Sequence, residues 1–83
     1  MKLSTITGRT YIKCINESEM NRTLKLLSLL DIEVDDNRSS FDIAPYICID
    51  ISNRKALTVT TKSAISSKGG RIITAGAFIH DNL

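Results

Sequence analysis

A basic loop with two consecutive glycines contains the residues of this chain that are best suited to chemistry. The loop spans residues 66–71 and reads SSKGGR. Paired glycines allow backbone N–H groups to converge on one point, and Lys68 and Arg71 add positive charge that suits a phosphate. The loop lacks the spacing and the Lys-Ser/Thr ending of a nucleotide-hydrolysing P-loop. Two interpretations remain: a plain connector, or a loop that binds a nucleic-acid backbone or an acidic protein surface.

Positive charge extends well beyond this loop. The chain has no acidic residue from Ile51 to His80. Five cations lie in that stretch, in or beside predicted turns and loops: Arg54, Lys55, Lys62, Lys68 and Arg71. Because turns at one end of a sheet can converge in space, we predict that these five residues form one basic, partner-binding face. The alternative is an ordinary solvated surface.

The residues that could form a catalytic or metal site are poorly arranged for either purpose. His80 is the single histidine, and Asp81 is its neighbour in sequence, where helical side chains do not face each other. The acidic cluster 31–36 lacks the glycine and the final glutamate of a calcium-binding loop. Cys14 and Cys48 lack the second pair that a zinc site needs. We therefore predict that the protein is not an enzyme and uses no metal or cofactor.

Length and composition predict one small domain. The chain has 83 residues, 42% of them hydrophobic, and a formal net charge of +2. A chain of this length builds a single core, so residues 1–83 are expected to form one domain. A charge of +2 is too small to indicate nucleic-acid binding by itself. Without a signal peptide or a membrane-spanning apolar run, the sequence predicts a cytoplasmic protein with reduced, buried cysteines and no membrane contact.

One amphipathic helix is the clearest element that the sequence predicts. It covers residues 17–30, with Asn16 as its N-cap and Glu19 placed to accept from the N–H group of that cap. Its apolar stripe follows helical spacing and consists of Met20, Leu24, Leu27 and Leu30. That stripe is expected to pack on a sheet.

Strand patterns supply the sheet. They occur at residues 10–15, 47–51, 56–61 and 71–74, with a weaker signal at 32–34 or 41–43. A polar break at 52–55 predicts a hairpin turn. Residues 61–70 are predicted to form one short turn of helix or a loop. Residues 75–81 are predicted to form a short C-terminal helix capped by Thr74. The predicted fold class is therefore α+β: a small, mostly antiparallel sheet of three to five strands, with the amphipathic helix packed on one face and a short C-terminal helix.

The order of these elements resembles a group of small accessory proteins from tailed phages. Those proteins often close with an I-I-x-A-x-x-F-[IL] run, and residues 72–79 read IITAGAFI. The resemblance spans about Tyr11 to Ile79 and consists of structural positions, so it assigns no site residues. It implies a host-takeover or counter-defence protein that works by binding, a group that includes inhibitors of host toxin nucleases.

Together, the residues and the resemblance predict a non-enzymatic, antitoxin-like phage inhibitor or regulator. Its partner would be a host protein, such as a toxin or a defence nuclease, met in the host cytoplasm. The alternative is a small RNA- or DNA-binding module that uses the basic face directly. Because a small sheet leaves edge strands unpaired, and because its margin of stability is thin, we also predict a homodimer.

Overall fold

The computed structural model describes residues 2–6, 8–37, 39–66 and 70–83. Within them, a five-stranded sheet carries three α-helices, and Leu3–Thr5 form one 3₁₀ turn. The strands are β1 (Arg9–Lys13), β2 (Glu33–Asp35), β3 (Tyr46–Asp50), β4 (Lys55–Val59) and β5 (Arg71–Thr74). The helices are α1 (Glu17–Leu29), α2 (Thr61–Ser66) and α3 (Ala75–Asn82). The predicted α+β class is confirmed.

The sheet is mixed, with strand order β2-β4-β3-β1-β5. β3 is antiparallel to both of its neighbours, β1 and β4. The outer pairs, β1 with β5 and β2 with β4, are parallel. The sheet expected to be mostly antiparallel therefore has a central antiparallel part and two parallel edges. The reason is that α1 and α2 serve as crossover connections, which return the chain to the end of the sheet where the preceding strand began.

α1 forms where the apolar spacing predicts it, and it ends one residue earlier than expected. The Asn16 side chain accepts a hydrogen bond from the Glu19 N–H at 2.8 Å, as a capping residue does. The Glu19 carboxylate accepts from the Ile15 N–H at 3.0 Å, one residue before the predicted donor. Met20, Leu24 and Leu27 are buried against the sheet.

Two hydrophobic layers hold the sheet between helices. On one face, α1 and α3 pack on strand side chains that alternate with period two, and the members of this layer include Ile12, Ile47, Ile49, Ala56, Met20, Leu27 and Phe78. On the other face, α2 places Ala64 against Tyr11, Tyr46 and Cys48. α2 has only six residues, so it covers a small part of that face.

The structure shows what each of the weaker sequence patterns forms. The strand signal near 32–34 corresponds to β2, whereas residues 41–43 form a turn. The ambiguous segment 61–70 contains α2, and α3 begins as predicted, with the Thr74 hydroxyl accepting from the Ala77 N–H at 3.3 Å. Among the described residues, no helix is both long and apolar enough to cross a membrane.

Candidate partner-binding surfaces

The described residues contain no group of three or more His, Cys, Asp or Glu side chains that could hold a metal ion. The His80 ring does contact Asp81, with 3.4 Å between Nδ1 and Oδ1. The expectation that these two side chains would not meet was therefore wrong. The contact is exposed at the end of α3. Asp81 lines a cavity of about 620 Å³ that His80 does not line, so the imidazole is not placed to act on a molecule bound there.

The Cys48 thiol is buried and suited to packing rather than to reaction. Burial raises its pKa, and a hydrogen bond with the Tyr11 side chain acts in the opposite direction without cancelling that increase. Nucleophilic cysteines need a lowered pKa and an accessible thiolate, and Cys48 has neither. Cys14 and Cys48 are both buried and form no disulfide, so they pack as small apolar residues.

Arg54, the first of the predicted binding cations, has a structural role. Its Nη2 donates to the Leu30 carbonyl at 2.8 Å, and its Nε donates to the Asp31 carbonyl at 3.3 Å. These carbonyls lie at the C-terminus of α1, which has no basic residue in its last turn. A cation at a helix C-terminus is stabilising because the helix dipole leaves negative charge there. Arg54 thus joins the β3–β4 hairpin to the end of α1.

Lys55, the second predicted cation, lies in a row of alternating charges. In the strand register, Lys55 faces Asp50 on one side and Glu33 on the other, and Asp50 in turn faces Arg9. A hydrogen bond from the Asn53 side chain, at 2.7 Å, is the main reason that the pKa of Asp50 is lowered, and Arg9 adds to the effect. Two carboxylates therefore balance the charge of Lys55 locally.

The remaining predicted cations lie apart. Arg71 begins β5 at the same end of the sheet as Arg54 and Lys55, but β5 and β4 are separated by β3 and β1. At a strand spacing of about 4.8 Å, that separation is roughly 14 Å. Lys62 lies in α2, beyond the opposite end of β4. Lys68 lies outside the described residues. The structure brings three of the five predicted residues to one end of the sheet without uniting them in one patch.

The two edges of the sheet differ in length and chemistry. β2 has three residues, and its exposed side chains, Glu33 and Asp35, are acidic. Short, charged edge strands resist pairing with other chains. β5 is one residue longer and follows Arg71 with three β-branched residues. Ile72 is 47% exposed there. The β5 edge therefore lacks the protection that the β2 edge has.

Basic residues surround the exposed isoleucine of β5. Ile72 is in register with Tyr11 of β1, so it lies on the face of the sheet that carries α2. Arg9 and Lys13 flank Tyr11 on that same face and are exposed. We call Arg9, Lys13 and Ile72 the β5 patch; Arg71, in register with Thr10, has its side chain on the opposite face.

Sequence reasoning found Arg71 and missed Arg9, Lys13 and the exposure of Ile72. The predicted strand begins at Thr10, one residue after Arg9, and the same period-two pattern extended to Arg9 places it on the face of Lys13. The adjacency of β1 and β5 has no local signal in the sequence, because residues about sixty positions apart must pair to create it.

Comparison with known proteins gives no match. No protein-family model, no curated protein and no solved structure matches this chain. The resemblance to phage accessory proteins therefore stays a prediction that rests on the order and pattern of the elements.

Proposed function

We propose that this protein is a non-enzymatic inhibitor or regulator that binds a host protein through the β5 patch. The observation that supports this function best is the unprotected β5 edge, where Ile72 is exposed beside Arg9 and Lys13. An extended segment of a partner can add a strand to such an edge. Main-chain hydrogen bonds then supply affinity, and side chains on the adjoining face supply selectivity.

The chemistry of the β5 patch defines the partner segment. An apolar side chain would pack on Ile72 and a carboxylate would meet Lys13, while Arg9 adds positive charge that it shares with Asp50, its register partner. The predicted partner is therefore a host protein with an exposed, acidic, extended segment. A toxin or defence nuclease in the host cytoplasm is the class that the phage resemblance implies. By covering or ordering that segment, a domain of this size can inhibit its target without chemistry of its own.

Direct binding of RNA or DNA is the second candidate, and the exposed cations Arg9 and Lys13 on one face of the sheet favour it. The aromatic residues argue against a single-stranded ligand. Tyr11, Tyr46 and Phe78 are buried and Phe41 is half-buried, so no Tyr or Phe ring is fully exposed for bases to stack on. Nucleic-acid binding would weaken steeply with salt, by about one unit of slope for each phosphate contact.

The test compares two exposed isoleucines on the same side of the sheet. Ile72→Glu places a negative charge in the β5 patch, and the matched control Ile65→Glu changes a residue of α2 that is 67% exposed. Tagged protein would be used to capture partners from host lysate, with and without nuclease treatment. We expect one captured protein that survives nuclease, is lost with Ile72→Glu and is retained with Ile65→Glu.

Circular dichroism and thermal melting would show that both variants fold. Undiminished capture by folded Ile72→Glu would remove the β5 patch as the binding surface. Capture that disappears on nuclease treatment would favour the nucleic-acid function instead.

A further inference from the structure

A groove between α1 and α3 lies on the side of the sheet opposite α2 and outside the β5 patch. It has a volume of about 200 Å³ and is lined by Arg22, Lys25, Leu26, Leu29, Ile79 and Leu83. Leu29 is 73% exposed and Leu83 is 90% exposed. Single exposed leucines are normal on protein surfaces. Apolar residues from two helices that border one groove form a patch, and such patches mark interaction sites.

Two of the groove residues, Leu29 and Leu83, are left largely uncovered by the domain itself, whereas Ile79 is buried and Leu26 packs against the core. Met20, Leu24 and Leu27 already form the buried stripe of α1, and Leu29 lies beside that stripe. On α3, Phe78 fills the core, whereas Ile79 turns toward the groove. Removing the exposed part of Leu29 would therefore cost the fold little, so this side chain is accessible to a partner.

The lining residues on the α1 side form one ridge of that helix. Arg22, Leu26 and Leu29 follow i, i+4 and i+7 on α1, and Ile79 of α3 and Leu83, the residue after α3, line the other side. From residue 22 to residue 29 the groove runs about 10 Å, at 1.5 Å for each helical residue. That length accommodates about two helical turns.

The charge of the groove restricts what can bind there. Arg22 and Lys25 are its charged lining residues, both are exposed, and no acidic residue lines it. A ligand with carboxylates beside apolar side chains would complement this arrangement, whereas a basic one would be repelled. The groove lies between two helices and offers no strand edge. An occupant that satisfies its own backbone hydrogen bonds, a helix, therefore fits better than an extended segment.

We propose that the α1–α3 groove binds an acidic amphipathic helix of a partner protein. Two apolar side chains, three or four residues apart, would pack on Leu26, Leu29 and Ile79, and a carboxylate would face Arg22 and Lys25. This site is separate from the β5 patch, so one partner can engage both surfaces, or two partners can bind together.

A displayed library of short helical peptides, selected against the full chain, tests this proposal. We expect the enriched peptides to share apolar residues at i and i+3 or i+4, with Asp or Glu beside them. Binding of an enriched peptide would then be measured by fluorescence anisotropy. Leu29→Gln and, separately, Arg22→Glu with Lys25→Glu should each weaken it at least tenfold.

Two controls separate this groove from other surfaces. Ile43→Gln changes an isoleucine that is 57% exposed and does not line the groove, and it should leave peptide affinity unchanged. Ile72→Glu should also leave it unchanged, so failure of the β5 patch and failure of the groove are distinguishable.

Three outcomes would overturn the proposal. The first is a selection that enriches no sequence, or enriches basic ones. The second is an enriched peptide that binds the parent and Leu29→Gln equally well. The third is saturable binding of the protein to anionic phospholipid vesicles that Leu29→Gln abolishes while peptides fail to bind, which would assign the groove to a membrane surface.

Discussion

The backbone of Arg54 adopts a left-handed conformation, with a φ of 51°. That conformation costs a residue with a side chain roughly 1–2 kcal/mol relative to the right-handed one. The guanidinium offsets part of this cost because it donates to two carbonyls at the end of α1. A strained backbone and a helix-capping side chain thus occur in the same residue, in a turn that sequence reasoning assigned to partner binding.

The two contributions of Arg54 can be separated by substitution. Arg54→Ala removes the hydrogen bonds and keeps the strain, so we expect it to lower the free energy of unfolding by about 1 kcal/mol. Arg54→Gly also removes the hydrogen bonds, but glycine accepts a positive φ at little cost. We therefore expect Arg54→Gly to be more stable than Arg54→Ala, as measured by urea unfolding. Equal stability of Arg54→Ala and the parent would show that the guanidinium contacts contribute nothing.

At the level of elements, the sequence pattern predicted those helices, caps and turns that depend on contacts between residues close together in the chain. Helix α1 was predictable because Asn16, Glu19 and the leucine spacing all act within a few turns of the chain. The β3–β4 hairpin and the Thr74 cap of α3 were predictable for the same reason. Strand order and the parallel pairing of β1 with β5 were not, because they depend on contacts between distant residues that no short pattern encodes.

The same limit applies to the binding surfaces. Five basic residues were readable from the sequence, but their grouping was not. Arg54 is engaged by carbonyls 24 and 23 residues away, and Lys55 is balanced by carboxylates on two neighbouring strands. Whether a charge is available to a partner depends on such long-range neighbours, so a count of charges along the chain overestimates the basic face.

Helix α1 has both a buried and an exposed leucine, so the same substitution can be compared on its core-facing and solvent-facing sides. Leu27 is fully buried between α1 and the sheet, whereas Leu29 is mostly exposed two residues later. Leu27→Ala should lower the free energy of unfolding by about 2–5 kcal/mol, because it removes transfer free energy and leaves a cavity. The melting temperature should fall by roughly 4–8 °C for each kcal/mol. Leu29→Ala is the matched control and should change stability by less than about 0.5 kcal/mol. Similar melting of the two variants would contradict the assigned helix face.

Across the whole molecule, charge is polarised from one edge of the sheet to the other. The β2 edge carries Glu33 and Asp35, and the β5 side carries Arg9, Lys13 and Arg71. Pairing of β2 in one copy with β5 in the next would match these charges, but such head-to-tail contacts continue into open filaments unless they close. The shortness and the charge of β2 also disfavour that pairing.

Symmetric pairing of β5 with β5 of a second copy is therefore the self-association that we predict. In an antiparallel pair centred on Ile72, this residue lies opposite Ile72 of the second copy, and Arg71 lies opposite Ile73 of the second copy. The two arginines are thereby kept apart, and the exposed surface of Ile72 is covered in both copies. The contact area is small, so the homodimer should be weak and should give way to a partner that binds the same edge.

Analytical ultracentrifugation over a range of protein concentrations measures this equilibrium. The parent should shift from monomer toward dimer as its concentration rises into the micromolar range and above, since a small interface gives modest affinity. Ile72→Glu should remain monomeric, because it places a carboxylate in the centre of the paired edge, and Ile65→Glu should dimerise as the parent does. A parent that stays monomeric throughout would show that β5 does not pair with itself. A dimer that Ile72→Glu leaves intact would place the self-contact on another surface, and the α1–α3 groove would then be tested next with Leu29→Gln.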